Sequence, residues 1–108
     1  MSVPLANRKP WEEKQDAVIG VTFTDAQGAA HGFPYTSLSY VVTEGAAVVL
    51  NIGAAKVTIT FPPSTGGTLA LDLLEAFTEQ RVRRVDHSKE EGCPVDVRVE
   101  FPEPEENA

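Results

Sequence analysis

Alternation of apolar and polar positions becomes regular at about Ala17, where Ile19, Val21 and Phe23 interleave with Gly20, Thr22 and Thr24 at the period of two that a half-buried strand requires. This predicts a first strand over 17–24. Asp25-Ala26-Gln27-Gly28 carries turn chemistry and separates it from a second predicted strand over 33–43. On that strand Leu38, Tyr40 and Val42 share one face and Ser37, Ser39 and Val41 the other. Glu44-Gly45 is a hairpin signal, because glycine supplies the positive φ of tight turns. A third strand over 46–52 sets Val48, Leu50 and Ile52 together, and Gly53-Ala54-Ala55 turns the chain again. The fourth, over 56–61, sets Val57, Ile59 and Phe61 against Lys56, Thr58 and Thr60. Connections this short make neighbours antiparallel, so the expected sheet is a four-stranded meander.

Pro62-Pro63 ends the strand pattern, and from 69 to 84 the period becomes that of a helix, with Thr68 as its N-cap and Asp72 in its first turns. Ala70, Leu73, Leu74 and Phe77 form the apolar face. Glu75, Glu79 and Arg83 lie away from it, with Glu79 and Arg83 as a supporting pair four residues apart. This helix is expected on the sheet face carrying Ile19, Leu38, Leu50 and Ile59. Val82 and Val85 either extend that packing or belong to a short extended segment beyond the helix. After a polar loop over 87–92, Val95, Val97, Val99 and Phe101 alternate with Asp96, Arg98 and Glu100, the pattern of a strand at a sheet edge.

The fold class expected is therefore α+β: an antiparallel four-stranded meander, one amphipathic helix packed on it, and a C-terminal edge strand. The order β-β-β-β-α-β, with Tyr35-Thr36-Ser37-Leu38 opening a strand, loosely resembles small barrel-like bacterial domains of the pleckstrin-homology type. The resemblance implies a barrel-like variant of the fold and carries no function. The expected organisation is an N-terminal arm over 1–16, a single domain over 17–101 and an acidic disordered tail over 102–108.

Charge changes the picture in two ways. Of the net charge of −7, Glu100, Glu103, Glu105 and Glu106 contribute −4, so the excess acid is a terminal feature of the kind that usually stays solvated. Between Ala17 and Gly67, by contrast, only Asp25, Glu44 and Lys56 are ionisable acids or bases, with His31 beside them. A one-sided antiparallel sheet normally turns charged residues to water, so a face of Thr, Ser, Ala, Val and Asn implies a cover.

Arg81, Arg83 and Arg84 form the only basic cluster, too short for nucleic acid and offset by Glu79 and Asp86; an acidic docking segment is its alternative reading. No stretch reaches the ~18–20 apolar residues of a membrane span, and no signal peptide is visible. A single cysteine, Cys93, fits a reducing cytoplasmic setting.

Candidate chemistry is sparse. Asp86, His87 and Cys93 lack the surroundings of a thiol nucleophile, and His31, His87, Cys93 and Glu90 lack metal-ligand spacing. His31 reads as a solvated loop residue. Ser64-Thr65-Gly66-Gly67-Thr68 lacks the lysine of a phosphate loop. No cofactor, metal or catalytic residue is expected.

The function expected is that of a non-catalytic protein-interaction or self-associating domain, with Thr22, Ser39, Val49 and Thr58 on its neutral face, Trp11 as a possible anchor, and Arg81, Arg83 and Arg84 as secondary contacts. Trp11 reads equally as a residue folded back on its own sheet. Two other readings are a small-ligand or enzymatic domain using loop 64–68 or 87–93, and an acidic inhibitor acting through the tail. Partners are expected to be a protein or a second copy, not nucleic acid or membrane.

Overall fold

In the computed structural model, which describes residues 10–63, 66–89 and 94–101, eight strands and one helix surround a shared apolar core. The strands are β1 (Glu12–Glu13), β2 (Gly20–Thr24), β3 (Ala30–Pro34), β4 (Leu38–Glu44), β5 (Ala47–Ile52), β6 (Ala55–Thr60), β7 (Val82–Asp86) and β8 (Asp96–Glu100); the helix is α1 (Gly66–Thr78). They form two four-stranded sheets, ordered β1-β7-β2-β3 and β4-β5-β6-β8, neither closed on itself. The class is α+β as expected, and the open sheets replace the barrel-like variant.

The expected single meander is divided between these sheets. Its first strand pairs with β3 and, in parallel, with β7, whereas β4, β5 and β6 are successive antiparallel neighbours in the other sheet. The division falls within the predicted 33–43 strand, at a turn of 3-10 helix over Tyr35–Ser37. Pro34 lacks an N–H for a central ladder, and Tyr35 then turns inward: its N–H donates to the Ile19 carbonyl at 2.9 Å and its buried hydroxyl to the Val82 carbonyl at 2.6 Å. Burial raises the Tyr35 phenol pKa despite the Val82 bond. Ile19, expected in the core, is 92% exposed, because it precedes β2 and only its carbonyl is used.

A second difference lies in β4. Leu38 is opposite Ile52 and Tyr40 opposite Asn51, so Ser39 is one extra residue and the strand carries a bulge. The bulge reverses the alternation after Leu38. Leu38 and Val41 pack against the core, and Tyr40 and Val42 turn to solvent, so the expected grouping of Leu38 with Tyr40 and Val42 is overturned. The β4–β5 connection is the two-residue turn Gly45-Ala46, with Gly45 at φ 63°, a value that glycine adopts without steric penalty.

The helix is shorter than 69–84 at its far end and starts earlier, so Thr68 lies in its first turn and is not the N-cap. It stops at Thr78 in a Schellman motif: the Arg81 N–H reaches the Ala76 carbonyl, the Gln80 N–H reaches that of Phe77, and Gln80 takes φ 58°. Arg83 is consequently on β7, and Glu79 pairs with Arg81, not with Arg83. Val82 and Val85 belong to the extended segment. Glu12 faces Arg84 while Glu13 faces Val82, so β7 holds an extra residue, Arg83, and both valines reach the core.

That core joins both sheets to α1. Phe23 and Phe77 lie 6.1 Å apart at 35°, Leu73 and Leu50 are fully buried, and Val48, Val57, Ile59 and Val97 form the inner face of the second sheet. Each such side chain contributes about 1.5–3 kcal/mol of transfer free energy.

Candidate interaction surface

Alternation on the second sheet builds a face from three cross-strand rows. Tyr40, Asn51, Lys56 and Glu100 form one row; Val42, Val49, Thr58 and Arg98 the next; Glu44, Ala47, Thr60 and Asp96 the third. Its charges concentrate on β6 and β8, apart from Glu44 at the hairpin. The β4–β5 half presents Tyr40, Val42, Val49, Ala47 and Asn51. Tyr40 is 50% and Val42 40% exposed, while Val49 between its neighbours is 7% exposed.

The sheet's two ends differ. Beyond β8, Ser88 and Val95 exchange backbone bonds at 2.8 and 2.9 Å, and the Val97 N–H donates to His87 Nδ1 at 3.1 Å, so this end is partly closed. Beyond β4 no strand pairs among the described residues. β4 is seven residues long and contains neither lysine nor proline, the usual means of blunting an edge. In the first sheet the end strands are the two-residue β1 and β3 with its Pro34.

Of the residues singled out from sequence, Val49 and Thr58 are adjacent on this face, and Ser39 is the exposed extra residue at its margin. Thr22 belongs to the other sheet, between Gly32 and Arg84. Tyr40 and Val42 were missed, because a strict period of two assigns them to the core and nothing in the residue pattern marks the bulge. Trp11 is 7% exposed, tilted against Phe61 at 6.0 Å with its indole N–H on Glu13 Oε1 at 2.8 Å; it packs on its own domain.

The basic cluster meets carboxylates of its own chain. Arg81 contacts Glu13 at 2.6 Å and Glu79 at 2.7 Å, Arg83 contacts Glu12 at 3.3 Å, and Arg84 contacts Asp86 at 2.9 Å. Hydrogen bonding to Asp86 raises the Arg84 pKa. Burial pushes the Asp86 carboxyl up, but the nearby Thr24 hydroxyl and the Arg84 guanidinium that donates to it outweigh this and hold the group below its ordinary value.

Alternative sites find less. His31 is a half-buried strand residue rather than a solvated loop residue: its Nε2 lies 3.2 Å from Asp25 Oδ2, and its ring 5.9 Å from that of Phe101. Hydrogen bonding by His31, then the N–H groups of Ala29 and Gln27, holds the Asp25 carboxyl below its ordinary value. A groove of about 440 Å³ is lined by Thr60, His87, Ser88, Lys89 and Asp96 together with Phe61, Pro62, Pro63, Pro94 and Val95, and its wall is mainly apolar. Ser64, Thr65, Glu90, Cys93 and the 102–108 tail lie outside the described residues.

Among the described residues, no group of three His, Cys, Asp or Glu side chains could hold a metal, and no helix is long and apolar enough to cross a membrane. No known protein family, curated protein or solved structure matches the chain.

Proposed function

We propose that the chain is a non-catalytic protein-interaction domain, working in the cytoplasm, whose binding surface is the β4–β5 half of the second sheet together with the edge of β4. The observation that supports this most directly is the exposure of Tyr40 and Val42 on a long strand, beside Val49 of β5, with no strand paired to its outer side among the described residues. Covering such a face returns about 25 cal/mol per Å² of apolar area, and tyrosine is among the residues that concentrate binding energy. Backbone groups at the edge add directional bonds to any strand laid along it. The arginines, each beside a carboxylate, offer phosphate little free charge, which favours a protein partner over nucleic acid.

The two tyrosines make the test internal: Tyr35 is buried and Tyr40 exposed. In dilute purified protein, nitration is expected at Tyr40 and not at Tyr35. In extract of the cell that makes the protein, Tyr40 nitration is expected to fall several-fold and to recover in Val42→Lys. Equal Tyr40 reactivity in both settings overturns the proposal.

A further inference from the structure

We infer that the occupant of this surface is a second copy of the chain, joined by antiparallel pairing of β4 with β4 about a two-fold axis at Val41. The inference rests on the interaction surface proposed above and adds its partner and register.

Hairpin geometry decides which backbone groups are free. In a two-residue hairpin the residues flanking the turn exchange both their bonds, here Glu44 and Ala47. Alternation then directs the N–H and C=O groups of Glu44 and Val42 toward β5 and those of Thr43 and Val41 away from it. An axis at Val41 sets the outward groups of the two Val41 residues against each other, as an antiparallel ladder requires, and brings Thr43 opposite Ser39, the bulge residue, of the other copy. The opposite end of the sheet does not offer the same opportunity, because Ser88 and His87 already engage Val95 and Val97 there.

The side chains are self-complementary in this register. Tyr40 of each copy faces Val42 of the other, an aromatic and β-branched cross-strand pair formed twice, and the neutral half-faces of both sheets become continuous. Charge agrees with antiparallel pairing. Glu44 is the only charged residue of β4, and the axis sends the two Glu44 side chains to opposite ends, whereas parallel pairing would set them side by side. A closed two-fold contact also occupies both copies' open edges at once, leaving no template for further addition.

The register gives a test that composition alone cannot pass. Sedimentation equilibrium of the purified chain up to millimolar concentration is expected to show a dimer. Tyr40→Lys and Val42→Glu each replace an exposed side chain, and each is expected to weaken dimerisation by roughly tenfold. Mixing the two variants is expected to restore association, because the introduced lysine meets the introduced glutamate at one pair while the other pair stays Tyr40 against Val42. Tyr40→Glu mixed with Val42→Lys provides the reversed pair should either first variant melt early.

A chain that remains monomeric throughout overturns the inference, as do a dimer indifferent to both substitutions and a weakened dimer that mixing does not restore. A monomer whose Tyr40 is nevertheless protected in extract overturns the second copy as occupant and leaves the interaction surface standing with another protein.

Discussion

His87 Nδ1 accepts the backbone N–H of Val97 at 3.1 Å, so a side chain at the end of the first sheet satisfies a donor on the outer edge of the second. The His87 N–H meanwhile donates to the Thr24 carbonyl at 2.8 Å, fastening the same residue to the strand next to β7. His87→Phe keeps the ring and removes the acceptor. The Val97 donor, on a buried residue, is then unpaired, and a loss of about 1–3 kcal/mol in urea unfolding is expected. An unchanged midpoint would show that this bond is not a tie between the sheets.

Acid should weaken the β2–β3 turn. Asp25 Oδ1 accepts the N–H groups of Gln27 and Ala29, both at 3.0 Å, and Oδ2 meets His31. These contacts lower the folded carboxyl below its unfolded value, so the unfolded chain takes up the proton first as pH falls. The stabilisation is complete above the ordinary value of about 3.9 and is lost as pH drops through the lower folded one. Asp86 has the same sign. Unfolding curves of wild type and Asp25→Asn should therefore differ by a constant amount near neutrality and converge in acid; a gap that persists at the lowest pH retaining the fold contradicts this.

Trp11 sits before the first strand yet belongs to the core, against Phe61. Trp11→Ala is expected to cost about 3–5 kcal/mol, the usual range for removing a buried large aromatic. Because it is the only tryptophan, its native fluorescence should be blue-shifted and move to the red in a single step with the loss of far-ultraviolet helix and strand signal. An earlier fluorescence transition would mean that the segment leaves the core on its own.

Gln80 holds the left-handed position at the end of α1, where a side chain costs about 1–2 kcal/mol. Gln80→Gly relieves that strain and gives back part of it through the freer unfolded chain, for a net gain of about 0.5–1 kcal/mol. Gln80→Val should change stability in the opposite direction. Thermal melts of the two variants on either side of wild type are the expected result, and a destabilised glycine variant would contradict it.

The elements most legible in the sequence are those whose ladders run without interruption. Val48, Leu50 and Ile52 on β5 and Val57 and Ile59 on β6 alternate and are buried. Two single-residue insertions defeat the same reading elsewhere. Ser39 shifts β4 by one, exchanging the roles of Val41 and Val42, and Arg83 shifts β7, placing Val82 and Val85 three apart on the core side, a spacing that mimics a helix. The helix end is likewise unmarked, since Gln80 occupies the place where glycine would announce it. Val49 and Thr58 were therefore found by period, while Tyr40 and Val42 required the bulge to be seen.

Parallel pairing of β2 with β7 imposes an order on biosynthesis. Thr22, Phe23 and Thr24 leave the ribosome some sixty residues before Arg84, Val85 and Asp86, the strand that must slide between β1 and β2. Until then the early hairpin is a two-stranded fragment, marginal in water, whereas β4, β5 and β6 are contiguous and can assemble as they emerge. The three strands able to pair first on a nascent chain are thus the ones that end in the unblunted margin of β4, well before β8 completes their sheet.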